Sequence, residues 1–322
     1  MATAEQVKAL VRSIKEKDEE RFYRIALQIA ASANKKGQAR YASDLTELIE
    51  KGLQTFKREN RLSKLAEPKG ELADLMHVSY PQERLSELML TEELDSKIKR
   101  IIFEQNQRGK LYNHSLRPKS KILLAGDPGT GKTMTASVLA SELKLPLFVI
   151  KFEGLISRYL GETAAKLKLV FEQMDEVRGV YFFDEFDTIG TQREVENDVG
   201  EARRIVSSFL QFLEQDDSNS IIIAATNHKK HLDRALFRRF DDILIYAKPD
   251  AESIKKFINN VSSLYSELSF NVQWKEVVRE AKGLNYSDIE SSLKNAIKWA
   301  ILNDVSTIDT KSLIKEFRQR HH

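Results

Sequence analysis

The sequence contains no cysteine, so disulfides, thiolate zinc sites, iron–sulfur clusters and cysteine nucleophiles are all excluded. A reducing compartment fits that absence. No run of apolar residues approaches the roughly 20 needed to span a bilayer, and Met1 to Glu20 lacks the apolar core of a secretory signal. Both absences lead us to expect a cytoplasmic protein without a membrane partner. Excess charge is scarce too: 51 Lys+Arg face 48 Asp+Glu across 322 residues, a net charge of +3. So weak a field argues against a nucleic-acid partner. Internal repeats and low-complexity tracts are also missing. What is there, 41% hydrophobic and 31% charged residues, describes an ordinary globular chain of about two domains.

Helical spacing opens the chain. Val7, Leu10, Val11 and Ile14, then Phe22, Ile25, Ala26 and Ile29, then Leu45, Leu48, Ile49 and Phe56 each mark a one-faced helix. Asp44 with Glu47 reads as a capping box for the third. Through Glu67 there are 14 Lys/Arg against 10 Asp/Glu, a local charge of +4, so the basic excess belongs to this module, residues 1–67. Pro68, Gly70 and Pro81 interrupt the pattern and suggest a linker over 68–84. From 85 to 248, short apolar runs recur between helical stretches: Ile122–Leu124, Phe148–Ile150, Val180–Phe183, Ile221–Ile223 and Ile243–Ile245. Runs of this kind are typical of buried parallel strands. Helical spacing returns over 249–322, with Ile254, Phe257, Ile258 and Val261, then Trp274, Val277, Val278 and Ala281, then Leu293, Ala296, Ile297 and Ala300. The expected fold class is α/β: a three-layer αβα domain on a parallel sheet, between a small helical module and a second helical unit.

The first expected strand runs into Gly126-Asp127-Pro128-Gly129-Thr130-Gly131-Lys132-Thr133, which satisfies G-x-x-x-x-G-K-[ST], and Met134 continues into a helical stretch. At average composition the pattern arises by accident in about one chain of this length in a hundred. The chemistry requires these residue types. Glycines let backbone N–H groups curl around phosphates, the helix N-terminus adds its dipole, Lys132 reaches the outer phosphates and the Thr133 hydroxyl ligates Mg²⁺. A partner acid is needed at the end of a neighbouring strand. Val180–Phe183 ends in Asp184-Glu185, so Asp184 is expected to hold the metal, largely through water. Glu185 is expected to position and polarise the water that attacks the γ-phosphate of ATP.

The order of phosphate loop, Asp-Glu, Ala225-Thr226-Asn227 and Arg238-Arg239-Phe240-Asp241, followed by a helical tail, resembles the AAA family of ring-forming ATPases over roughly residues 85 to 300. The resemblance implies that Asn227 senses the γ-phosphate and attacking water, and that Arg238 or Arg239 reaches into a neighbouring subunit's ATP. The chain departs from the commoner Leu-Arg-Pro-Gly-Arg-Phe-Asp pattern, which leaves the choice of arginine open. Gly283-Leu284-Asn285-Tyr286-Ser287-Asp288 is similar to the family's opening of the lid helix, and Ser287 stands where broader relatives keep a second sensor arginine. Tyr159-Leu160-Gly161 resembles the first pore loop, in which an aromatic and an apolar residue grip extended polypeptide and the glycine turns sharply. Arg193–Asp198 is a weaker candidate for a second pore loop. By resemblance the partners are other copies of this chain in a hexameric ring and a protein substrate, which is unfolded, threaded or remodelled at the expense of ATP. One alternative is a nucleotide-gated regulator of a separately encoded partner such as a subtilisin-like serine protease. A nucleic-acid motor or loader is the other, against which the small net charge stands.

Overall fold

The computed structural model describes residues 8, 13, 19–35, 42, 43, 45–49, 67–151, 155, 160–184, 199–227 and 237–320. Two compact units emerge, Met1–Glu67 and Pro68–His322. In the first, helix α1 (Glu19–Lys35) buries Ala26 and Ala30 in a cluster with Ile49, against which Leu45 packs. Small residues on its inner stripe permit close approach of a second helical segment. The expected cap at Asp44 and the apolar positions Val7, Leu10, Val11, Ile14 and Phe56 lie outside the described residues.

The second unit begins with structure in the stretch expected to be a linker. Gly70, at φ +59°, precedes the short helix α2 (Glu71–Leu75), and β1 (Met76–Ser79) follows. β1 pairs antiparallel with β3 (Leu147–Ile150), from Met76 opposite Ile150 to Ser79 opposite Leu147. Pro68 and Pro81 thus bracket an edge element, and the pairing of β1 is what orders it. The remaining strands are β2 (Lys121–Gly126), β4 (Val180–Phe183), β5 (Ile221–Thr226) and β6 (Asp242–Tyr246). They join in the order β1-β3-β4-β5-β2-β6, every pairing after the first being parallel.

Helices cover both faces, which explains why the central strands β4 and β5 are buried along their whole length. On one face α3 (Glu92–Asn106) and α5 (Lys132–Leu143) bring Leu94, Ile98, Ala136 and Leu139 onto Ile122, Leu124, Phe182 and Ile223. Between α3 and β2 lies the short α4 (Arg108–Asn113). On the other face, Phe171 of α6 (Leu160–Glu176) and Phe209 of α7 (Val199–Gln215) close on Phe183, with ring centroids 6.3 and 4.8 Å from it. Phe148 and Tyr181 stack at 4.5 Å on adjacent strands. Burial of this order contributes about 1.5–3 kcal/mol per large side chain before chain entropy is charged against it.

The C-terminal part builds its own core. Helices α8 (Ala251–Ser262), α9 (Trp274–Ala281), α10 (Tyr286–Leu302) and α11 (Thr310–Arg318) surround Ile258, Val277, Leu293 and Phe317. Three of them start on side-chain caps: Asp250, Asn285 and Asp309 accept from Ser253, Asp288 and Ser312 N–H groups at 2.8, 2.7 and 2.9 Å. A two-stranded parallel ribbon, β7 (Ser269–Asn271) with β8 (Thr307–Asp309), completes it. No described helix is long and apolar enough to cross a membrane.

One backbone approach sets how tightly the phosphate loop is held. A Cβ on Gly126 would lie 2.5 Å from the Tyr246 carbonyl oxygen, and Tyr246 is fixed from its far end by a buried 2.7 Å hydrogen bond with Thr135 of α5. Gly126→Ala should therefore cost about 1–3 kcal/mol by overpacking. That corresponds to a drop of roughly 2–12 °C in Tm in a thermal melt. An unchanged Tm would show that β6 yields freely at this point.

Candidate functional site

Three adjacent strands, β4, β5 and β2, end at the same rim of the sheet, and ligands of open α/β sheets bind beyond such carboxyl ends. The loop after β2 passes through Gly129 at φ +71° and Gly131 at φ +103°, conformations that side chains disfavour. Thr130 ties the loop to itself by donating to the Asp127 carbonyl at 2.8 Å. Lys132 starts α5, and its buried ammonium donates to the carbonyls of Gly126 and Asp127 at 2.7 and 3.0 Å and to Asn227 Oδ1 at 2.8 Å. Thr133 Oγ1 donates to Asp184 Oδ2 at 3.0 Å. Side chains separated by 51 and 95 positions in sequence therefore meet at one point.

A cavity of about 330 Å³ opens here, bordered by Pro128 to Met134, Asp184, Asn227 and Ser287. Gly126 and Asp127 lie outside its lining. Its other wall was not foreseen from the sequence. Leu88 and Met89, just after a 3₁₀ turn (Leu85–Glu87), face Phe257 and Tyr286 of the C-terminal helices, with Glu87 and Glu290 at the border. Phe257 and Tyr286 pack edge to face at 5.1 Å. Burial pushes the Tyr286 hydroxyl above its ordinary pKa, so the phenol stays neutral. The same cause raises Tyr246, against the opposing effect of its Thr135 hydrogen bond. One end of the cavity is thus rich in N–H and ammonium groups, and the other is apolar with aromatic faces.

The donor set suits a magnesium nucleotide. Hydroxyl and carboxylate oxygens are hard ligands, and Mg²⁺ is commonly bound through one or two protein oxygens plus phosphates and water. Among the described residues, no group of three or more His, Cys, Asp or Glu is placed to hold an ion by itself.

Other expected site residues fall differently. Arg238 is exposed, whereas Arg239 is half-buried and donates to Glu214 Oε1 at 2.5 Å. Asp241 is structural: its carboxylate accepts from the N–H groups of Ser120 and Lys121 at 2.8 and 2.9 Å, where β2 begins. Leu160 and Gly161 open α6. Gly161 is therefore helical and is not the sharp turn expected of it, because the α6 hydrogen-bond pattern already includes it. Tyr159, Glu185 and Arg193–Asp198 lie outside the described residues.

A sheet of this order, with a phosphate loop leading into α5 and acid and amide groups on the next strand ends, defines a P-loop nucleotide-binding fold. Residues 122–247 match the model of the ATPase family associated with various cellular activities (AAA). A protein named an uncharacterized AAA family ATPase, y4kL, from Sinorhizobium fredii is 33% identical over 94% of this chain and 90% of its own length. The ATP-dependent zinc metalloprotease FtsH 1 of Methylacidiphilum infernorum is 34% identical over 60% of this chain, but the match spans only 31% of that protein. The crystal structure of the FIGL-1 AAA domain shares the fold, with a TM-score of 0.59 and 22% identity over 80% of this chain and 88% of that one. The chain belongs to the AAA family and is an ATP-hydrolysing enzyme.

Proposed function

We propose that the chain assembles into a ring, hexameric by family resemblance, in which ATP hydrolysis unfolds, threads or remodels protein substrates in the cytoplasm. The observation that carries the hydrolytic half is the meeting of Lys132 with Asn227 and of Thr133 with Asp184 at one rim of the sheet. In this reading the N–H groups of residues 129–133 and the Lys132 ammonium hold the phosphates, while Gly126, Asp127 and Pro128 shape the loop. Thr133 and Asp184 hold Mg²⁺, which neutralises charge on the phosphate oxygens when bound. Leu88, Met89, Phe257 and Tyr286 take the faces of the base, with Met134 and Ser287 beside them. Glu185 takes a proton from the attacking water, and Asn227 orients that water. Arg238, exposed and free of the Glu214 pairing that occupies Arg239, serves a neighbouring subunit's site.

The protein-substrate half is supported by Tyr159-Leu160-Gly161, and one relative is by its name an ATP-dependent protease. Tyr159→Ala tests it. Aromatic anchors commonly carry much of a contact's energy. Unfolding of a tagged fluorescent reporter should therefore slow by about tenfold or more while the ATPase rate stays within about twofold of wild type. Processing that survives the substitution would end the threading reading. It would favour nucleotide-gated regulation of a separately encoded serine protease.

A further inference from the structure

Parallel pairing fixes where the connection from the sheet to the C-terminal helices runs. Gly126 and Tyr246 are register partners at the ends of β2 and β6. The residues just beyond them, Asp127 in the phosphate loop and Lys248 in the connection, therefore leave the sheet side by side. The Lys248 ammonium lies 3.8 Å from the Asp127 carboxylate and donates to the Gly283 carbonyl at 2.9 Å. Gly283, at φ +93°, stands in the turn before α10. The first turn of that helix places Ser287 in the cavity wall, and the Ser287 N–H donates to the Gly129 carbonyl at 3.3 Å. One cation thereby touches the nucleotide loop and the base of the lid at once. Neither Asp127 nor Lys248 borders the cavity, so this bridge lies outside the phosphate-binding set.

We propose that Lys248 is a positioning residue for the nucleotide: by bridging Asp127 and Gly283 it holds the start of α10 against the phosphate loop and so raises ATP affinity. The inference rests on the nucleotide-binding reading of the cavity. Lysine suits the task because three rotatable N–H donors on a flexible stem can serve a carboxylate and a carbonyl together. The effect is modest, since the two side chains remain 47% and 58% exposed. An ion pair so exposed is screened and weak, which leaves the charged donor on the Gly283 carbonyl as the stronger contact.

Titration of the full chain with a fluorescent ATP analogue tests the proposal. Lys248→Met should weaken binding about three- to tenfold, raise KM for ATP by a similar factor and lower kcat less. Lys248→Arg, which keeps charge and reach, should bind within about twofold of wild type. Asp127→Asn should weaken binding in the wild-type background and add nothing in Lys248→Met, as expected for two groups acting through one contact. Wild-type affinity in Lys248→Met overturns the proposal, and so does an Asp127→Asn loss that persists undiminished beside Lys248→Met. Lys132→Ala separates the two levels. If it also binds like wild type, the cavity is not the nucleotide site and the reading beneath the proposal fails. If Lys132→Ala loses binding while Lys248→Met does not, only the bridge is wrong.

Discussion

Arg238→Ala is expected to lower kcat for ATP hydrolysis by about 10³-fold, whereas Arg239→Ala should cost far less, because only an arginine free to leave its own subunit can reach a neighbour's phosphate. Arg239 donates to Glu214 of its own chain, while Arg238 stands in solvent. Truncating Arg239 removes a partly exposed ion pair, worth about 0–1 kcal/mol. On the proposed trans role, truncating Arg238 removes positive charge from the point where negative charge develops in the reaction. Mixing two variants separates action within one subunit from action between subunits. An Arg238→Ala subunit keeps its own Glu185, and a Glu185→Gln neighbour supplies the missing arginine, so a mixture of two nearly inactive proteins should recover activity. Wild-type turnover by Arg238→Ala would remove that residue from the reaction, and failure of the mixture to recover would confine each site to one chain.

Glu185→Gln is expected to reduce kcat by about 10²–10⁴-fold, the usual contribution of a positioned general base, with ATP affinity held within a few-fold. The amide keeps the size and hydrogen-bonding reach of the carboxylate but cannot accept the proton. Steady-state turnover combined with nucleotide titration separates these effects: a fall in affinity comparable to the fall in kcat would mean that Glu185 serves binding. Since the variant should remain in its ATP-loaded form, capture from cells followed by mass spectrometry should recover the protein substrate with it.

Much of the nucleotide half was legible in the chain. Strands buried on both faces have to be apolar throughout, which is why Val180–Phe183 and Ile221–Ile223 stand out. A loop that curls around phosphate has to be built from glycine and end in Lys-Thr. β1 was not legible, because Met76-His77-Val78-Ser79 is a half-exposed edge with mixed polarity and only its pairing to β3 makes it a strand. The apolar wall of the cavity was hidden for another reason. Phe257 keeps helical spacing with Ile254 and Ile258 and so reads as an ordinary core position. Leu88 comes from a segment nearly 170 residues earlier, and only tertiary packing brings the two to one cavity. The contrast between Arg238 and Arg239 likewise depends on Glu214, 25 positions from Arg239. Local pattern could not have supplied it.

The strand order also has a consequence for how the molecule is made. β2 ends in the phosphate loop, yet its two neighbours are β5 and β6, with Ile122 paired to Ile223 and to Asp242. A ribosome adding about 5–20 residues per second needs roughly 6–24 s to travel from Ile122 to Asp242. Until β5 emerges, roughly 5–20 s after Ile122, an apolar Ile-Leu-Leu-Ala segment waits with neither edge paired, and its second edge then waits for β6. The catalytic loop is therefore encoded early and assembled late, and biosynthesis exposes its own strand as the segment most in need of protection from aggregation.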